Sequence, residues 1–207
     1  VGAAGGDDAG DAIYGLLKRF TIKASNQVVD EDEKAQIYAL VLDLDELAVP
    51  TLCKFIRREA RIRYPLRALT EIEDKDSVVR HVGEALTHIG PEYIKNPEPK
   101  LHLVQQLEEL GTEAISTYLV PFIEDHDETV RFQVIQTLSK QRGDAVRDGM
   151  LARLAGEEEE SLRNVVALCE ALAAVDPNAV VVEEPAEPAG AASWRSGSWS
   201  DLPAAPR

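Results

Sequence analysis

The sequence predicts an all-α chain of tandem helix–turn–helix units, an α-solenoid. Three observations predict it. Segments that open on a turn or cap residue and continue with Ala and then Ile or Val recur at near-constant spacing. The apolar residues between them fall at helical rather than alternating offsets. The composition is dominated by Ala, Leu, Glu and Val, with only 5% aromatic residues, and that balance favours helix.

Four segments align as the first helix of a unit: GDAIYGLLKRF (10–20), DELAVPTLCKFI (45–56), GTEAISTYLVPFI (111–123) and GDAVRDGMLARL (143–154). Their alanines are Ala12, Ala48, Ala114 and Ala145. A fifth, weaker copy, DSVVRHVGEALTHIG (76–90), places Val78 at the corresponding point. The spacings are then 36, 30, 36 and 31 residues. Second helices fill the intervals: DEDEKAQIYALVLDL (30–44), IRYPLRALTEI (62–72), PEPKLHLVQQLEELG (97–111), DETVRFQVIQTLS (127–139) and EESLRNVVALCEALAAV (159–175). Val130, Val134 and Leu138 share one apolar stripe, and Leu162, Val165, Val166, Cys169 and Leu172 share another. A lone pair cannot bury both faces, but stacked pairs share one continuous core. Pro65 either kinks its helix or sits in the first turn.

The ends read differently. Residues 1–9 are mostly Gly, Ala and Asp, and are expected to be a disordered lead. The solenoid is expected over 10–175. Residues 176–207 turn to Pro, Ala, Glu and Ser, which cannot offset ordering entropy by burial, so a disordered tail is expected. Trp194 and Trp199 in that tail read as a short docking motif or as unselected terminal sequence.

Composition narrows the function classes. The net charge of −15, from 37 acidic and 22 basic residues, opposes non-specific nucleic-acid binding, which needs a basic face. No apolar run reaches the roughly 18 residues of a membrane span. The opening residues do not read as a basic-then-apolar leader, so a cytoplasmic protein is expected. Cys53 and Cys169 lie far apart among apolar residues and read as buried thiols, not as a disulfide or zinc framework. No Gly-x-Ser-x-Gly elbow, P-loop or dinucleotide fingerprint is present. His81, Glu84 and His88 lie near one helical face and are weighed as a metal set against solvated histidines; no metal or cofactor is expected.

The stretch LEELGTEAISTYLVPFIED (107–125), followed by Asp127-Glu128-Thr129-Val130-Arg131, Val134 and Leu138, resembles the repeat junction and second helix of HEAT-like repeats. The short period is closer to the bacterial, phycobilin-lyase-type form. LLKRFTIKASNQVVDEDEK (16–34) and FIRREARIRYPLRALTEI (55–72) look like segments of uncharacterised bacterial HEAT-repeat proteins. The resemblance covers about residues 10–175. It implies that Arg131 reaches acidic groups or carbonyls of adjacent turns, with Arg80 and Arg163 in looser matching places. His-Glu dipeptides, which carry the di-iron site of HEAT-repeat deoxyhypusine hydroxylases, are absent. Beside that resemblance, Asp125 and Asp127 read as caps of the following helix. Asp30 to Glu33 reads as a helix start, without the glycine and spacing of a calcium loop.

One basic stripe interrupts the acidic background. Lys54, Arg57, Arg58 and Arg61 fall at i, i+3, i+4 and i+7 if one helix continues through Ala60, with Arg63 and Arg67 close behind. It reads as a solvated face or as a ridge for an acidic segment, including the chain's own Glu183, Glu184 and Glu187. The expected function is a non-enzymatic protein–protein interaction scaffold or adaptor. The alternative is a metal- or cofactor-linked enzyme, or a bilin-lyase-like protein, on the same scaffold.

Overall fold

The computed structural model describes residues 4–156 and 159–175, with side chains from Asp8 onward. Ten α-helices follow one another among these residues: α1 (Ala4–Lys18), α2 (Gln27–Asp43), α3 (Val49–Arg58), α4 (Arg63–Ile72), α5 (Lys75–Ile89), α6 (Glu98–Leu110), α7 (Ile115–Leu119), α8 (Glu128–Leu138), α9 (Asp144–Ala155) and α10 (Leu162–Val175). The described residues contain no strand. Trp194, Trp199 and the tail glutamates lie outside them.

The helices alternate between two rows, in the register that the apolar rhythm predicts. In the first row α1 packs on α3, α3 on α5, α5 on α7, and the turn after α7 on α9. In the second row α2 packs on α4, α6 on α8, and α8 on α10. A single apolar core runs between the rows from Ile13 to Leu172. Among the described residues the chain is an α-solenoid of five helix pairs that share this core.

Local chemistry sets the boundaries. Asn26, Asp74 and Asp127 cap α2, α5 and α8, each accepting from the backbone N–H groups two and three residues on, which satisfies donors with no intrahelical partner. Gly111 ends α6 with φ +60°, a left-handed conformation natural to glycine. Pro121 lacks a backbone donor, and after α7 the chain tightens into a 3₁₀ turn over Val120–Glu124. Pro65 is buried in the first turn of α4, where its missing N–H breaks no helical bond.

Two sequence expectations shift. Helix α1 begins at Ala4, inside the stretch expected to be a disordered lead. Helix α3 stops at Arg58, because Glu59 is extended, and the Glu59 carboxylate accepts from the Tyr14 hydroxyl at 2.7 Å and pairs with Lys18 at 2.6 Å. Arg61 is therefore not on the α3 stripe.

Candidate functional site

The second row is interrupted once. Helices α4 and α6 do not pack as their neighbours do, and between them lies a groove of about 480 Å³. The linker that precedes α6 is long and carries Pro91 and Pro97. It is pinned elsewhere: the His126 amide donates to the Pro91 carbonyl and Lys100 Nζ donates to the Glu92 carbonyl, at 2.9 and 2.8 Å.

Each wall of the groove is a polar stripe. On α4 it consists of Arg63, Arg67 and Thr70 above the buried Leu66. On α6 it consists of His102, Gln105, Gln106 and Glu109. The spacings i, i+4, i+7 and i, i+3, i+4, i+7 aim each stripe along one helix face. Arg67 is committed: Nε donates to Glu71 at 3.1 Å and the guanidinium lies 5.0 Å from the Tyr38 ring. Arg63 is exposed and has no ion-pair partner among the described residues. His102 Nδ1 is buried without a hydrogen-bond partner among them.

The structure distributes the remaining basic residues of the expected ridge. Arg57 donates to Glu84 of α5 at 2.9 Å. Lys54 lies over the Tyr14 ring at 5.5 Å. Arg61 donates to the Thr21 carbonyl at 2.7 Å. Arg58 is exposed at the end of α3. No continuous basic ridge results, since Lys54, Arg57 and Arg61 serve contacts inside the chain, while Arg63 and Arg67 line the groove.

Arg131 belongs to a buried network. Its Nε and Nη2 grip both Glu159 oxygens at 2.7 and 2.8 Å, and Nη1 donates to the carbonyls of Asp125 and His126. Arg153 joins Glu159 to Glu124. Lys100, 1% exposed, donates to Asp125 at 2.6 Å. Asp125 therefore does not cap α8 directly: it accepts from Lys100 and from the Asp127 amide, and Asp127 makes the cap. Burial tends to raise Glu159, but hydrogen bonds from Arg131 and the Ser161 amide, with the nearby arginine charges, bring it down to about 2. Burial pushes Asp125 above the usual carboxylate range against the pull of Lys100. The hydrogen bonds of Glu159 hold Arg131 more firmly protonated.

Arg80 and Arg163 do not share this role. Arg80 is exposed on α5, while Arg163 stacks on Phe132 at 3.5 Å. Sequence reasoning missed Lys100, because a lysine in PEPKLHLV reads as a solvated first-turn residue. Glu84, between His81 and His88, is committed to Arg57. Among the described residues no group of three His, Cys, Asp or Glu side chains is placed to hold a metal ion. Burial raises the Cys53 thiol, which makes it a poor nucleophile.

Residues 92–173 match the family model for HEAT repeats. The match covers α6 to α10 and holds the whole Lys100–Asp125–Arg131–Glu159–Arg153 network. It begins in the linker beside the groove. No curated protein and no solved structure matches the chain. HEAT repeats commonly act as protein-interaction scaffolds, because stacked helix pairs present long continuous faces. No described helix is long and apolar enough to cross a membrane.

Proposed function

We propose that the protein is a non-enzymatic protein–protein interaction scaffold that docks a partner in the groove between α4 and α6. One observation carries this reading: the second row opens there, and both walls present polar side chains on rigid helices. Sites built on helices hold their geometry better than sites on loops. Arg63 is the member of the predicted docking set that this reading retains, because it faces the groove without an acid partner. Lys54, Arg57 and Arg61 are better explained as intramolecular contacts. A cytoplasmic location and a bacterial, short-period HEAT lineage fit this reading and belong to the same proposal.

The test is affinity capture from a native lysate with two baits, the intact chain and one carrying Arg63→Glu and Gln105→Ala. A captured protein is then purified and rebound to each bait. The reading expects a partner that binds the intact chain and loses at least tenfold in affinity for the altered one. A purified partner that binds both baits equally overturns the groove as its docking site.

A further inference from the structure

We infer that the α4–α6 groove takes an extended peptide segment of the partner protein, with a carboxylate side chain held by Arg63 and main-chain groups held by Gln105 and Gln106. This rests on the scaffold reading above and names the chemistry of its ligand.

The carboxylate follows from charge. In a chain with 37 acidic and 22 basic residues, the groove is lined by two cations, Arg63 and Arg67, and Arg67 is occupied by Glu71; nearby Arg57 and Arg61 are held by Glu84 and a carbonyl. Arg63 faces the groove with no acid of the described residues in ion-pair reach. A guanidinium offers a planar fork that matches a carboxylate in two parallel hydrogen bonds.

The extended main chain follows from the opposite wall. Gln105 and Gln106 make no hydrogen bond to each other, and each carries an amide with donors and an acceptor. Such an amide complements a peptide group whose own N–H and C=O are unbonded. A helical ligand has already paired those groups internally and would leave the glutamines unused. The stripe from Arg63 to Thr70 rises about 10 Å along α4. That length matches about three residues of extended chain at ~3.3 Å each.

Glu109 sets the limit on charge. It sits on the α6 wall of the same groove, so a uniformly polyanionic strand meets repulsion. A nucleic-acid backbone or a run of glutamates is thereby disfavoured, and a segment with an isolated carboxylate fits better.

The test is an NMR titration of the ¹⁵N-labelled full chain with the synthetic peptide acetyl-Pro-Ala-Glu-Ala-Pro-amide and with the same peptide carrying Gln in place of Glu. The expected result is saturable shifts confined to residues 63–70 and 102–109. Binding should weaken at least fivefold for the Gln peptide, at least tenfold in Arg63→Gln, and severalfold in Gln105→Ala/Gln106→Ala. Arg80→Gln, an equal charge change on an exposed site of α5, should leave it unaltered. Shifts that do not saturate, that lie elsewhere, or that survive Arg63→Gln overturn the proposal.

A full chain with Glu183, Glu184 and Glu187 changed to Gln identifies the occupant. Unchanged affinity supports a segment supplied in trans, whereas tighter peptide binding means that the chain's own acidic segment competes and overturns the partner assignment. A partner that depends on the groove in the capture experiment, combined with no peptide shifts, sinks this inference and leaves the scaffold reading standing. Peptide binding without any groove-dependent partner overturns the scaffold reading and, with it, the assignment of the segment to a partner protein.

Discussion

Helices α1–α4 and helices α6–α10 follow one plan but are joined by different chemistry. In the first region the joints are aromatic, beside the partly exposed Lys18–Glu59 pair. Phe20 stacks on Tyr64 with ring centres 4.9 Å apart, Tyr38 meets Tyr64 edge-on, and Tyr14 tilts against Phe55. In the second region the joints are ionic and buried: Lys100 to Asp125, Arg131 to Glu159, and Arg153 to Glu159 and Glu124. The comparison teaches that stacking geometry is shared while the adhesive is local. The family model matches the ionic region, 92–173, and the groove lies where the two chemistries meet.

The largest expected effect comes from breaking the Lys100–Asp125 pair. Lys100→Met strands a buried carboxylate, and loss of one partner of a buried pair costs about 3–5 kcal/mol. Chemical denaturation at neutral pH should show this deficit. It should shrink in acid, where Asp125 protonates and no longer needs its cation.

Glu159 gives the next effect and a pH signature. Its carboxyl falls from an ordinary 4.5 to about 2 in the fold. Between those values the unfolded chain binds the extra proton, so stability rises with pH across that window. The contribution is complete above about 4.5 and lost as pH falls towards 2. It amounts to roughly 3 kcal/mol at 1.36 kcal/mol per unit. Glu159→Gln should lower stability at pH 7 and flatten the acid side of the pH–stability curve. Asp125, pushed upward, works in the opposite sense and cannot produce this slope.

Gly83 sharpens the comparison on the first row, which stays closed beside the groove. A Cβ placed there collides with the ring of Tyr118 from α7. Gly83→Ala should cost about 1–3 kcal/mol through overpacking, and Tyr118→Ala in the same background should relieve the collision. Differential scanning calorimetry of the single and double variants checks this.

The smallest effect belongs to the aromatic joint. Tyr64→Leu keeps an apolar side chain and loses ring geometry worth about 0.5–1.5 kcal/mol. Its effect should be the same at pH 3 and pH 7, in contrast to Glu159→Gln. An equal pH dependence in both variants would erase the distinction between the two regions.

The helix register was legible because apolar spacing reports burial directly. Of the five marker positions, Ala12, Val78 and Ala145 lie inside α1, α5 and α9, and Ala48 and Ala114 immediately precede α3 and α7. Asp127 was legible as a cap because an acid just before an apolar helical run has one obvious use. Lys100 was not, since its burial depends on an aspartate 25 residues away. The stripe from Lys54 to Arg61 holds only on the condition of a helix through Ala60, and that condition fails for a local reason: Glu59, held by Tyr14 and Lys18, is extended and ends α3. The groove was hidden because adjacency of α4 and α6 is tertiary; Pro91, Pro97 and Pro99 were its only sequence trace.

The most direct test of the claim that the seam between the two regions is the docking site is hydrogen exchange on the full chain, with and without a purified partner. The account predicts slowed exchange centred on residues 63–70 and 102–109, lost in Arg63→Glu. Protection confined to α8 and α10, or unchanged by that substitution, would contradict it.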